Sequence, residues 1–222
     1  MPPEARRVGH RAPDPRAATI GTPALLALDD ASLIGRGSGR ACHVHPHDPG
    51  LCVKVPYNER GRKECRREWL YLRRVERRYG AVVHAHAARL HGPVPTDRGE
   101  GWVAERVRDA FSGETSAPLT RALTRASFDA ARERWREAFE ALVAWTRHSG
   151  VVVRDWSATN LCAQRLADGR RRLVVIDGIG PKTAWALRFP RRAHARERNR
   201  RYAAQRGVDS VESLLALCER ER

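Results

Sequence analysis

Residues 151–163, VVVRDWSATNLCA, carry the strongest chemical pattern in this chain. Three β-branched residues lead into Asp155, Asn160 stands five positions further on, and a short apolar run closes the stretch. The segment is either an ordinary strand-turn-strand, with Asp155 and Asn160 as turn residues, or a loop whose carboxylate and amide carry chemistry. An Asp and an Asn at that spacing arise readily by chance, so the choice rests on what lies on either side.

Downstream, an Asp168-Gly169 turn separates two apolar runs and predicts a β-hairpin. Its second run, RRLVVIDGIG, ends in a further Asp-Gly pair, Asp177-Gly178. Upstream, FDAARERWREAFEALVAWTRHSG reads as one long amphipathic helix. Phe128, Ala131, Trp135, Ala138, Phe139, Leu142 and Trp145 mark its apolar face, and Gly150 stops it.

The N-terminal half predicts strands. One ends at Ile34, one covers 40–45 and one covers 51–55, joined by the turn-rich stretches GRGSG and HDPG. Cys65, Trp69, Leu72 and Val75 then recur at helical spacing up to Gly80. Two short strands follow, with turns expected at HGP and RGEG, the second strand being the acidic-ended WVAERV. A short helix is expected after Ser116, and the chain closes on a basic stretch and an apolar helix, DSVESLLALCER.

Length and composition set the outer limits. The 222 residues suffice for one domain or for two lobes sharing a cleft. The net charge of +16 is almost entirely arginine, a bias that a GC-rich genome produces without any acidic partner, so nucleic acid is not an expected partner. The run RFPRRAHARERNRR fits the solvated face of a helix better than a nucleic-acid surface, which leaves a basic nucleic-acid-binding protein as the weaker alternative. The lysines are Lys54, Lys63 and Lys182. Lys54 lies in the apolar strand CVKV, where an unpaired charge would be costly.

Five cysteines without a Cys-x-x-Cys pair argue for a reducing, cytoplasmic setting rather than a disulfide framework. No segment has the length of apolar sequence that a membrane span needs. Residues 1–22 lack periodicity and read as a disordered leader. The HVHPH stretch sets His43, His45 and His47 at alternating positions, but no set of further ligands accompanies them at zinc spacing.

Taken in order, these segments resemble the protein-kinase-like fold: an α+β, two-lobed architecture with a reduced C-terminal lobe. LIGRGSGRACHV is similar to the glycine-rich loop, with Gly35 and Gly37 in place and Arg40 where a third glycine would stand. Lys54 matches the nucleotide-binding lysine of the third strand. Glu68 is its expected partner on the following helix, Glu64 the alternative one turn earlier.

VRDWSATN resembles the catalytic loop, with Asp155 as base and Asn160 as metal ligand, and VVIDG resembles the strand bearing the metal-binding Asp177. The resemblance implies a nucleotide site at Gly35, Gly37, Lys54, Ala104, Glu105 and Val107, with ATP and Mg2+ as cofactors. Magnesium favours oxygen ligands, which a carboxylate and an amide supply. It also implies a single domain over 23–222, with lobes of about 23–108 and 109–222.

More narrowly, LCVKVPY, RREWLYLRRV, NLCAQ, RRLVVIDGIG and RRAHARERNRRY resemble segments of the PhoP regulatory network protein YrbL family, a bacterial group of the kinase-like superfamily. That resemblance implies a role in a bacterial regulatory response, with a nucleotide and an unidentified phosphoacceptor or regulatory protein as partners. Several positions depart from the kinase pattern. Val153 stands two before Asp155 in place of His, Ser157 two after it in place of Lys, the Asp-Phe-Gly phenylalanine is missing, and no Ala-Pro-Glu motif follows. These departures keep open a pseudokinase that binds without transferring.

Overall fold

Alternating side chains in the first half of the chain build a sheet with two different faces. In the computed structural model, which describes residues 25–182 and 191–222, β1 (Leu33–Arg36), β2 (Arg40–His45) and β3 (Asp48–Pro56) form an antiparallel meander. β4 (Leu90–Thr96) and β5 (Gly99–Glu105) extend it in the order β1-β2-β3-β5-β4. Along β3, Val53 and Val55 pack with Leu28 on one face, which leaves Cys52 and Lys54 on the other. The leader expected over 1–22 lies outside the described residues.

Two strand boundaries differ from the sequence reading. β1 begins at Leu33 rather than ending near Ile34, because Asp29 accepts from the Ala31 N–H (2.9 Å) and the Ser32 hydroxyl donates to the Asp29 carbonyl (2.6 Å). Those bonds fold Asp30–Ser32 into a 3-10 turn. The HGP stretch is not a turn: it lies within β4, with a register shift between Leu90 and Gly92. β4 is an edge strand, where the missing N–H groups of Pro93 and Pro95 are tolerated.

Helix α1 (Glu59–Tyr79) is capped by Asn58, whose side chain accepts from the Gly61 N–H, and ends at Gly80 with φ 74°. Its buried stripe runs through Cys65, Leu72 and Val75 and includes one charged residue, Glu68. Trp69 meets Trp102 of β5 edge-on at 5.8 Å, fixing the helix on the sheet.

The expected long helix is broken. After α2 (Leu119–Ala122), α3 (Arg125–Ala130) ends at Ala131, whose φ of −150° is not helical, and α4 (Arg132–His148) starts there. The Trp135 indole N–H takes the Ser127 carbonyl (3.0 Å), the acceptor a continuous helix would give to Ala131. Ala131 bonds instead to Phe128.

β6 (Leu161–Arg165) and β7 (Arg171–Val175) form the expected hairpin, with Gly169 at φ 79° in its turn. α5 (Arg192–Gln205) and α6 (Val211–Arg220) complete the described chain. The large core joins α1, α4, the hairpin and α6 through Leu72, Trp135, Leu142, Leu173 and Leu214. A sheet lobe carrying one long helix thus faces a helical lobe edged by a hairpin, an α+β arrangement of two lobes. Among the described residues no helix is long and apolar enough to cross a membrane.

Candidate functional site

Strand register decides which side chains face the cleft between the lobes. Gly35 pairs with Cys42, Cys42 with Lys54 and Lys54 with Trp102, so these four form one row across the sheet. Residues directly opposite in antiparallel strands share a face. Gly35 therefore sets a missing side chain beside Cys42, one strand from Lys54, and the space a Cβ would take there is open. Gly37 closes the loop through a bond from its N–H to the Arg40 carbonyl (2.9 Å).

Arg40 lies two residues from Cys42 on β2 and so projects from the same face as Lys54. Its guanidinium enters a nest of carboxylates: Asp177 at 3.1 Å, Glu68 at 3.6 Å and Glu64 at 3.9 Å. Lys54, almost fully buried, donates to the Ile176 carbonyl at 2.5 Å. The residue expected to pair with Lys54, Glu68, lies in this same cluster, but its direct ion pair is with Arg40. Glu68 also accepts from the Ile179 N–H at 3.0 Å, which ties α1 to the segment after Asp177. Glu64 stays at the rim, 32% exposed.

The charges in this cluster set one another. Burial and the adjacent Asp177 carboxylate push Glu68 up to about 7. For Asp177, burial works against ionisation, but Lys54 and Arg40 outweigh it and hold the carboxyl below its ordinary value. Burial likewise disfavours the charge on Lys54, and the Asp177 and Glu68 carboxylates more than restore it. Burial pushes the Cys65 thiol, 3.1 Å from Arg40, up to about 11, so it meets the guanidinium as a neutral group.

Asp155 and Asn160 converge on the other side of Gly178. A Cβ on that glycine, whose φ is 73°, would lie 2.7 Å from the Asp155 Cβ and 3.3 Å from the Asn160 amide nitrogen. The Gly178 carbonyl accepts from the N–H groups of Arg154 (2.8 Å) and Asp155 (3.2 Å), and the Asn160 carbonyl accepts from the Ile176 N–H (2.9 Å). The sequence row from Asp155 to Asp177 thereby closes into one small region. Its oxygen donors, a carboxylate and an amide, suit a hard cation such as Mg2+.

The loop leading into Asp155 is held by residues the sequence reading did not single out. Tyr71 of α1 donates its hydroxyl to the Gly150 carbonyl (2.9 Å) and accepts from the Val152 N–H (3.0 Å). Asn199 of α5, buried, accepts from the Val153 N–H (2.8 Å) and donates to the Val151 carbonyl (2.8 Å). Asp155 itself meets Arg206, Nη2 to Oδ1 2.9 Å. Glu221, 3.6 Å from Arg206, accepts from the Ser157 hydroxyl (2.6 Å) and the Ala158 N–H (2.8 Å). With Ser157 two positions after it in place of a lysine, Asp155 instead meets a cation from the residue that follows α5, Arg206.

The three residues expected on the strand WVAERV divide. Ala104 is buried opposite Cys52 on the Lys54 side of the sheet. Val107 packs with Ala88, Cys162 and Val174 beside Ile176, and its carbonyl accepts from the Ser116 N–H (2.9 Å). The Glu105 side chain accepts from the Arg89 N–H (3.1 Å), so its carboxylate serves the strand. Among the described residues, no group of three His, Cys, Asp or Glu forms a metal cluster, and His43 instead meets Ser32 and the Asp29 carbonyl at 3.2 Å.

The segments that build this region match a known family over most of the chain: the description "PhoP regulatory network protein YrbL" covers residues 26–206. The chain belongs to this family. Two relatives, both called "Uncharacterized protein YrbL", come from Escherichia coli strain K12 and Shigella flexneri. Each is 29% identical over 161 residues, which cover 72% of this chain and 75% of the relative. A solved structure, Rad53 residues 1–466 in complex with AMP-PNP, is similar at 18% identity with a TM-score of 0.47. The similarity covers 69% of this chain and 39% of that one.

Proposed function

We propose that this YrbL-family protein is an ATP- and magnesium-dependent phosphotransferase acting in a bacterial regulatory response in the cytoplasm, with residues 23–222 as one kinase-like domain and the cleft between its lobes as the site. The observation that carries the reading is the convergence on Gly178. Asp155 and Asn160 meet it from one segment. Asp177, linked to Glu68 and Lys54 through the buried charge cluster, precedes it in the chain.

In this reading Gly35 and Gly37 arch over the nucleotide, Lys54 faces its phosphates, and Ala104 and Val107 line the wall beside the base. Asp177 and Asn160 would hold the magnesium ion, which supplies positive charge against the phosphates. Glu68, through Arg40 and the Ile179 N–H, keeps α1 and the Asp177 segment in register. Asp155 orients the acceptor hydroxyl and takes its proton. The substrate hydroxyl must enter beside Arg206, the present partner of the Asp155 carboxylate.

A second reading, a pseudokinase that binds nucleotide or a regulatory protein, is favoured by those same arginines, since Arg40 and Arg206 each engage a carboxylate that turnover would need. Turnover of ATP by the natural chain, lost in Asp155→Ala, supports the transferase. Thermal stabilisation by ATP with no phosphate released or transferred supports the pseudokinase. Turnover unchanged in both Asp155→Ala and Asp177→Ala would sink the site assignment itself.

A further inference from the structure

Arg40 links Glu68 to Asp177 in the proposed site, yet its charge lies against the very carboxylate that is read as the metal ligand. It stands where the glycine-rich loop would place a third glycine, and its side chain is only 13% exposed. Both terminal nitrogens are engaged: Nη2 reaches Asp177 and Glu64, and Nη1 reaches Glu68 and the Cys65 sulfur. The Asp177 Oδ1 atom that meets Arg40 also accepts from the Gly178 N–H at 2.7 Å. That oxygen therefore has little capacity left for a further cation.

We propose that Arg40 and a divalent cation are alternative partners of Asp177, so that the guanidinium must leave this carboxylate before the metal can be held there. The inference rests on the reading of Asp177 as the metal ligand. Two cations cannot share one carboxylate oxygen without strong repulsion in a partly buried site. Arg40 has places to go when displaced. Glu68 and Glu64 remain within reach on α1, and Glu64, at the rim, receives the released charge at the smaller desolvation cost.

Phosphates entering beside Lys54 offer the same guanidinium a bidentate partner. Nucleotide and metal then assist one another: the phosphates draw Arg40 from Asp177, and the vacated carboxylate accepts the metal. Without nucleotide, Arg40 suppresses metal binding. The natural chain should accordingly hold a divalent cation weakly by itself and well only together with ATP.

Mn2+ tests this directly, since its binding is read by the loss of free-ion paramagnetic resonance without any turnover. The full chain is titrated as wild type, Arg40→Gln, Arg40→Lys and the double variant Arg40→Gln with Asp177→Asn, each checked for a cooperative thermal transition. Arg40→Gln is expected to bind Mn2+ without nucleotide about tenfold or more tightly than wild type, from the loss of one charge-assisted contact. Arg40→Lys should stay near wild type, and the double variant should lose the gain.

An Arg40→Gln affinity equal to or below wild type, or no Mn2+ binding by that variant, overturns the inference. The underlying site reading fails separately, if Mn2+ binding in the presence of ATP is unaffected by Asp177→Asn in an otherwise natural chain.

Discussion

Asp177 and Asp155 flank the same glycine, and each meets an arginine at about hydrogen-bonding distance, yet their surroundings differ. Asp177 is 26% exposed and shares its field with Lys54, Arg40 and a second carboxylate, Glu68. Asp155 is 39% exposed and pairs with an Arg206 that is itself 45% exposed. Water screens the second pair and leaves the first largely unscreened. The same two residue types therefore do different work: around Asp177 they hold the lobes together, and around Asp155 they leave a carboxylate that an incoming group can reach.

Gly178 joins the two halves, and altering it should have the largest effect. Gly178→Ala puts a side chain at φ 73° and within 2.7 Å of the Asp155 Cβ. Left-handed strain and the forced shift together should cost about 3 kcal/mol, read as a drop in the urea midpoint. A variant as stable as the natural chain would mean that the two carboxylates are not packed through this glycine.

Next in size is Asp177→Ala. It strips Arg40 and Lys54 of the carboxylate whose charge acts on them most, although Glu68, relieved of its neighbour, ionises more fully and recovers part of the loss. A net destabilisation of about 2 kcal/mol in urea unfolding is expected. Arg206→Ala should cost less than about 0.5 kcal/mol, because the closer of the two pairs it breaks is solvated and Glu221 keeps its bonds to Ser157 and Ala158. Equal losses in the two variants would remove the distinction between the buried and the open carboxylate.

What could be read from the sequence follows the same division. Lys54, Asp155, Asn160 and Asp177 were legible because each sits in a short segment whose local pattern places it at a strand or a loop. Arg40 was visible only as a glycine that was absent. Its role appears once the β2-β3 register puts it on the face of Lys54, and no local window contains that register.

Arg206, Asn199 and Glu221 left no local signal at all. They reach the Asp155 loop across 51, 46 and 64 residues of sequence, through packing of the last helices. The HGP misreading has a different cause: glycine and proline favour turns, but an edge strand with a bulge accommodates both. The broken helix is a third case, in which one indole N–H took a carbonyl that the helical pattern had reserved.

The most direct test of the different roles of the two carboxylates is calorimetric titration of ATP into the Asp155→Ala and Asp177→Ala variants, with and without Mg2+. Asp155→Ala should keep the magnesium-dependent ATP affinity of the natural chain. Asp177→Ala should bind ATP with an affinity that Mg2+ no longer raises. Loss of the magnesium effect in Asp155→Ala, or its survival in Asp177→Ala, would contradict the account.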